Sequence, residues 1–221
     1  MNSSERRAQT PERILDASER LFSERGYSAT SVRNITTEAR CNVAAVNYHF
    51  GGKDKLYREM FRRRLRTLRD RRIASIRDAL PAAGNPASLE EFLRAFAREF
   101  IEPLVAAPDA PGQPDDSVGF TLITRELVDR HLPHEFIKEM FEPVETAWSE
   151  ALARFCPGLD EESARLCMHS MVGQLVHVVH LQRHAGRVEA CALPHILEHI
   201  VGYSAAGIRS FLPPAPSEAT R

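Results

Sequence analysis

With 221 residues and 43% apolar side chains, the chain holds enough hydrophobic material for one large or two small domains with a real core. Its apolar runs fall short of the roughly 20 residues of a membrane span, MNSSERRAQTPERI lacks the core of a secretory signal, and four scattered cysteines form no Cys-x-x-Cys pair; no membrane partner is expected, and a reducing cytoplasm is. The net charge of −1 hides an asymmetry, since residues 1–72 carry 17 Lys and Arg against 9 Asp and Glu while the remainder carries 12 against 21, as in a basic nucleic-acid-facing part on an acidic body.

Helical periodicity runs along the whole chain with no strand-like alternation and no internal repeat, so an all-α fold of about nine helices is expected. The first predicted helix opens at Thr10-Pro11, a cap followed by proline at the first helical position, and buries Ile14, Leu15, Ala17, Leu21 and Phe22. Gly26 is expected to end it as a left-handed cap. The stretch from Thr30 to Leu56, TSVRNITTEARCNVAAVNYHFGGKDKL, is the most informative. Thr30 is expected to cap a short helix opening at Ser31, with Val32, Ile35 and Ala39 on one face. After a turn, Asn42 caps a second short helix, with Val43 and Val46 facing inward and Ala44, Ala45, Asn47, Tyr48 and His49 left for other work. Two short helices in this arrangement make a helix-turn-helix, whose second helix enters the major groove of DNA. Small side chains at 44 and 45 allow close approach to base edges, and the hydroxyl, imidazole and amide groups suit phosphates.

Ile35 to Phe50, followed by Gly51-Gly52-Lys53-Asp54-Lys55-Leu56, resembles the DNA-binding domain of the tetracycline-repressor (TetR) family of bacterial transcription regulators. The most recognisable feature of that family is an aromatic, His-rich end of the recognition helix, then Phe, a short turn and Lys-[Asp/Glu]-x-Leu. Here it stands as Asn47-Tyr48-His49-Phe50 and Lys53-Asp54-Lys55-Leu56. Arg40 occupies the turn position where the family usually has glycine, Thr36 stands where alanine is usual, and Cys41 replaces a common valine. The resemblance implies a DNA-binding domain over residues 8–56. It puts Thr30, Tyr48, His49 and Lys53 on phosphates, Ala44, Ala45 and Asn47 toward bases, and Arg33 and Asn42 on the same surface.

Beyond Lys53 the apolar residues Leu56, Met60, Phe61, Leu65, Leu68, Ile76 and Leu80 predict one long helix, with most of the basic run Arg62 to Arg72 as its solvated face. Pro81 and Gly84-Asn85-Pro86 are expected to end it. Ser88 caps the next helix, whose inner side is Leu89, Phe92, Phe96, Phe100 and Ile101. Residues 108–116 read as an exposed loop, helices follow at about 117–131, 134–155, 160–185 and 192–212, and 213–221 reads as a disordered tail. Thr124-Arg125-Glu126-Leu127, Phe136 to Pro143 and Ser170 to Gln174 resemble the body of the CecR-like, drug- and stress-responsive branch of the family. That resemblance implies an effector-binding and dimerisation domain over 57–212 whose last two helices pair with those of a second copy. The 160–185 stretch reads as apolar nearly all round, as a helix between core and partner should.

Candidate pocket walls are Phe96, Phe100, Phe120, Ile123, Leu127, Phe136, Met140, Phe141 and Trp148, and candidate dimer contacts are Gly173, His177, His180 and His184. With His169, these histidines fall on one helical arc, so a metal sensor using His177, His180 and His184 competes with packed neutral imidazoles. The packed reading is preferred because no carboxylate or thiol shares the arc, and no metal or cofactor is expected. Neither a Gly-rich phosphate loop, a nucleophile elbow nor a His-Glu-x-x-His stands in the chain, so no catalytic residues are expected. The sum is a homodimeric repressor released from a palindromic double-stranded operator by a small hydrophobic or aromatic effector. A DNA-binding module governed by a protein partner is the further alternative.

Overall fold

A computed structural model describes residues 10–80, 88–105, 116–185 and 192–213, and these form nine helices and no strand. In chain order they are α1 (Thr10–Ala29), α2 (Val32–Glu38), α3 (Val43–Phe50), α4 (Lys53–Asp78), α5 (Leu89–Val105), α6 (Asp116–Asp129), α7 (His134–Phe155), α8 (Glu161–Ala185) and α9 (Leu193–Ser210). Among the described residues, no helix is long and apolar enough to cross a membrane. The expected stops at Pro81 and Gly84-Asn85-Pro86, most of the 108–116 loop, and the tail beyond Pro213 lie outside the described residues. Two compact units result: residues 1–68 with 108–140, and residues 69–107 with 141–221. Packing thus groups α6 with the three N-terminal helices rather than following sequence order.

The first unit closes over Ile14, Leu21, Phe22, Ile35, Val46, Leu56, Met60 and Phe61, all buried. Each such side chain fully withdrawn from water contributes about 1.5–3 kcal/mol. Helix α1 is not ended by Gly26, as expected, but kinked there: φ 82 and ψ 170 lie outside the left-handed helical well, and helical turns resume to Ala29. The Arg62 to Arg72 run also departs from a plain solvated face. Arg63 reaches Asp16 and Glu19 of α1 at 2.8 Å and Glu12 at 3.3 Å. Arg64 is only 6% exposed and lies 3.7 Å from Glu19. Acidic groups on α1 thus draw in two arginines that sequence periodicity leaves outside. From α6, Arg125 donates to the Phe22 carbonyl (3.2 Å) beside Gly26, and buried Glu126 accepts from the Tyr57 hydroxyl (2.9 Å) and the Leu132 amide. Burial and then the Glu126 charge hold the Tyr57 phenol well above its ordinary pKa.

In the second unit, Ser88 and Glu91 form a reciprocal cap at the start of α5, whose Phe92, Phe96, Phe100 and Ile101 are buried. Trp148 of α7 is fully enclosed, with ring centroids 5.1 Å from Phe92 and 4.7 Å from Phe96. Its indole N–H donates to the Ala164 carbonyl at 3.1 Å, so this buried donor is satisfied. Arg94–Glu198 and Arg209–Glu90 fasten α5 to α9. Asp160 caps α8 by accepting from the Ser163 amide at 2.8 Å. The expectation that α8 is apolar all round is corrected: Ala164, Met168, Met171, Leu175 and Val179 are buried, whereas Leu166, His169, Ser170, Gly173, His177 and His180 are exposed in the single chain.

Candidate nucleic-acid interface

Seven residues are too few for an isolated helix, so α2 depends on its ends. At the start, the Ser31 hydroxyl accepts from the Asn34 amide (3.1 Å) while the Asn34 side chain accepts from the Ser31 amide (2.9 Å). Thr30 is therefore not the cap. It is fully buried and donates its hydroxyl to the Gly26 carbonyl at 2.8 Å, near the kink of α1. This burial withdraws its side chain from the phosphate-facing set. At the other end, the Arg40 amide donates to Thr37 and the Cys41 amide to Thr36, the paired bonds of a Schellman turn. Arg40 sits at φ 51, a conformation that costs a non-glycine residue about 1 kcal/mol.

Asn42 caps α3 as expected, its side chain accepting from the Ala45 amide at 2.8 Å. Only Val46 anchors the helix into the core; Val43, expected to face inward, is 44% exposed. In eight residues a single buried position fixes the helix, and Val43 falls three residues short of it, past the edge of the first unit's core. Gly51 ends α3 in the left-handed conformation (φ 75, ψ 21) and returns its amide to Asn47 at 2.9 Å. Ala44, Asn47, Tyr48 and His49 are exposed on this helix, Ala45 is half-buried, and Arg33 and Asn42 are exposed alongside. Tyr48 is 84% exposed, its ring 4.9 Å from that of His49. An open concavity of about 810 Å³ is lined by Thr10, Cys41, Asn42, Ala44, Ala45, Tyr48 and His49.

Lys53 is less free than a bare phosphate contact. Its ammonium donates to the Tyr27 carbonyl at 2.7 Å and lies 4.0 Å above the Tyr27 ring, and burial pulls its pKa below the ordinary value. Tyr27 in turn donates its hydroxyl to Asp54. Burial, then that hydrogen bond to the carboxylate, pushes its phenol up to about 12. Tyr27 and Arg13, which donates to the carbonyls of Ala39 and Arg40, escaped the sequence reading because their partners lie 26 or 27 residues away.

The candidate pocket residues divide between the units. Phe120, Phe136 and Met140 are buried and Ile123 half-buried in the first; Phe96, Phe100 and Trp148 are buried and Phe141 half-buried in the second. The side chains of Leu127 and His184 lie outside the described residues. His169 pairs with Glu145 at 2.9 Å, a carboxylate brought in from α7 that the α8 sequence does not reveal. Among the described residues, which do not include the His184 side chain, no three His, Cys, Asp or Glu side chains gather closely enough to share a metal ion, and nothing supports the metal-sensing alternative.

Residues 14–60 match the family model described as bacterial regulatory proteins, tetR family, and residues 98–207 match the tetracyclin repressor-like C-terminal domain. The second match is coarser than the CecR-like branch. The chain is 30% identical over 129 residues to the transcriptional regulator LmrA of Bacillus subtilis, covering 58% of this chain and 65% of that one. To the probable regulator YttP of the same organism it is 43% identical over 47 residues, 21% of this chain and 23% of that one. The chain thus spans less than two thirds of the length of these curated relatives. Among solved structures, a TetR-family regulator from Mesorhizobium loti superposes with a TM-score of 0.66 at 17% identity, covering 91% and 97% of the two chains. The fatty acid degradation regulator FadR of Bacillus halodurans does so with a TM-score of 0.62 at 17% identity, over 86% and 97%. Such regulators are not enzymes. With both family regions matched in order over more than half of its length, the chain belongs to the TetR family of bacterial transcription regulators.

Proposed function

We propose that the protein is a homodimeric repressor that reads a palindromic operator through α3 and releases it when a small hydrophobic or aromatic effector binds. The observation that carries this reading is the exposed face of α3. Ala44, Asn47, Tyr48 and His49 all stand in solvent on a helix anchored by Val46. The excess of basic residues before position 73 supports a phosphate-facing surface. In this reading residues 8–56 read DNA and residues 57–212 bind effector and partner. Tyr48, His49, Arg33, Asn42 and Lys53 hold the backbone, and Ala44, Ala45 and Asn47 face bases. The walls proposed for the effector are mostly aromatic and aliphatic, which favours an organic molecule with few polar groups over a sugar or a phosphorylated metabolite.

The test is binding of the purified protein to the DNA upstream of its own gene, followed by fluorescence anisotropy. Tyr48→Ala should weaken operator and shuffled duplexes alike, because a phosphate contact carries no sequence information. Asn47→Ala should narrow the gap between them by about 1–3 kcal/mol, the size of one base contact. Drug-like and fatty compounds screened against the complex should release it with a coupling of about 1–3 kcal/mol. Unchanged binding by the two variants together would remove α3 from the interface.

A further inference from the structure

The turn between α2 and α3 is held from outside itself. A Schellman turn satisfies two of the last carbonyls of α2, those of Thr36 and Thr37, through the amides of Cys41 and Arg40. The carbonyls of Ala39 and Arg40 point elsewhere, and both accept from one nitrogen, Nη2 of Arg13, the second bond at 3.2 Å. Arg13 lies in the first turn of α1, 26 residues away in sequence. Its guanidinium brings positive charge to the C-terminal end of α2, where the helix dipole is negative. A second fastening lies in the same groove, where Arg20 of α1 pairs with Glu38, the last residue of α2. The residue so held, Arg40, adopts φ 51 without being glycine. Two residues beyond it, Asn42 opens the recognition helix.

From this arrangement we infer that Arg13 is a positioning residue for DNA reading: by gripping the carbonyls of Ala39 and Arg40 it holds the strained turn and so sets the direction in which α3 leaves it. The inference deepens the reading of α3 as the recognition helix and rests on it. Its logic is a compensation between two residues. Glycine at position 40 would hold the left-handed conformation unaided, because it has no Cβ to clash. With arginine there, the turn keeps its shape through the bonds that Arg13 supplies. Removing them lets the turn relax toward negative φ, and Ala44, Ala45 and Asn47 then lose their register on the bases, while the backbone-facing groups still meet phosphate.

The experiment uses the full chain and two probes: a duplex that the wild type selects from a randomised pool, and a shuffled duplex of the same length. Arg13→Ala should lower affinity for the selected duplex about tenfold, comparable to the discrimination that a single base pair supplies, while shuffled-duplex affinity and the salt slope stay unchanged. Adding Arg40→Gly to Arg13→Ala should restore the ratio of the two affinities, a non-additivity expected only of coupled sites. Equal losses on both probes, with the salt slope flatter by about one unit, would make Arg13 a direct phosphate ligand and overturn the inference. So would an unchanged ratio in Arg13→Ala, or failure of Arg40→Gly to restore it. Should Arg13→Ala not fold, Arg13→Lys keeps the charge and stem but loses the planar fork, and its ratio is read in the same way. A wild type that selects no sequence at all would sink the reading of α3 and this inference together.

Discussion

Tyr27 joins three parts of the first unit through one side chain and its carbonyl. The ring lies 4.8 Å from Tyr57 and 4.5 Å from His131, the hydroxyl donates to Asp54, and the carbonyl accepts from Lys53. Because its folded pKa is raised from 10.0 to about 12, the folded state favours the protonated phenol. The associated stability is therefore complete below pH 10 and is lost as pH rises through about 12. Lys53 runs the other way, since its lowered pKa favours the neutral amine as pH rises. A comparison of variants separates the two: urea unfolding of the wild type across this alkaline range should lose stability more steeply than Tyr27→Phe, which keeps the ring but has no proton to give. Parallel curves would show that neither burial nor the Asp54 bond raises the Tyr27 phenol in solution. Thr30 and Ser31 illustrate what local pattern leaves open at this scale. Both are good caps by type, and the choice is made by the Gly26 and Leu21 carbonyls of α1, four and nine residues back, which accept from the Thr30 hydroxyl around the kink that the residue types alone do not reveal.

Among the elements, α6 meets α4 at a glycine. A methyl group at Gly119 would run into the guanidinium of Arg64, which is buried beside Glu19 and would have to shift to make room. Gly119→Ala should therefore cost about 1–3 kcal/mol despite its better helix propensity, read as a lower urea midpoint. The loss should shrink when Arg64→Ala is added, because the clash is then gone. A neutral Gly119→Ala would mean that α6 is not held this closely. The existence and order of the helices were legible, since caps such as Asn42 and Ser88 and the apolar spacing of α4 and α5 act over a few residues. Which side chains α4 turns inward was not. Arg63 and Arg64 look like part of a solvated run until the acidic residues 44 to 51 positions earlier are brought beside them. The face of α3 was likewise legible except at Val43, because its composition, small then polar and aromatic, distinguishes it from a core helix.

For the whole molecule, the decisive surface is the one that a second copy would cover. Helix α8 shows solvent a strip of Leu166, Ser170, Gly173 and His177, and α9 shows Gly202 and Tyr203. Around Gly173 and Gly202 there is open space where a side chain would begin. Small residues on exposed helices allow a partner's backbone to approach closely, and nothing within the single chain requires glycine there. This makes Gly173→Glu a clean test of the proposed dimer. In the isolated subunit the new carboxylate points into water and replaces glycine in a helix interior, a change that favours folding by up to about 1 kcal/mol. At a buried interface the same group is an unpaired charge withdrawn from water, costing several kcal/mol in each copy. The variant should therefore keep its helical circular dichroism, lose only the part of its thermal midpoint that subunit association supplies, and elute at the mass of one chain. Its affinity for a two-half-site operator should fall by about 10²–10⁴, the advantage of linked binding, while affinity for a single half-site is preserved. A folded Gly173→Glu protein that remains dimeric and retains full operator affinity would move the subunit contact away from this strip of α8.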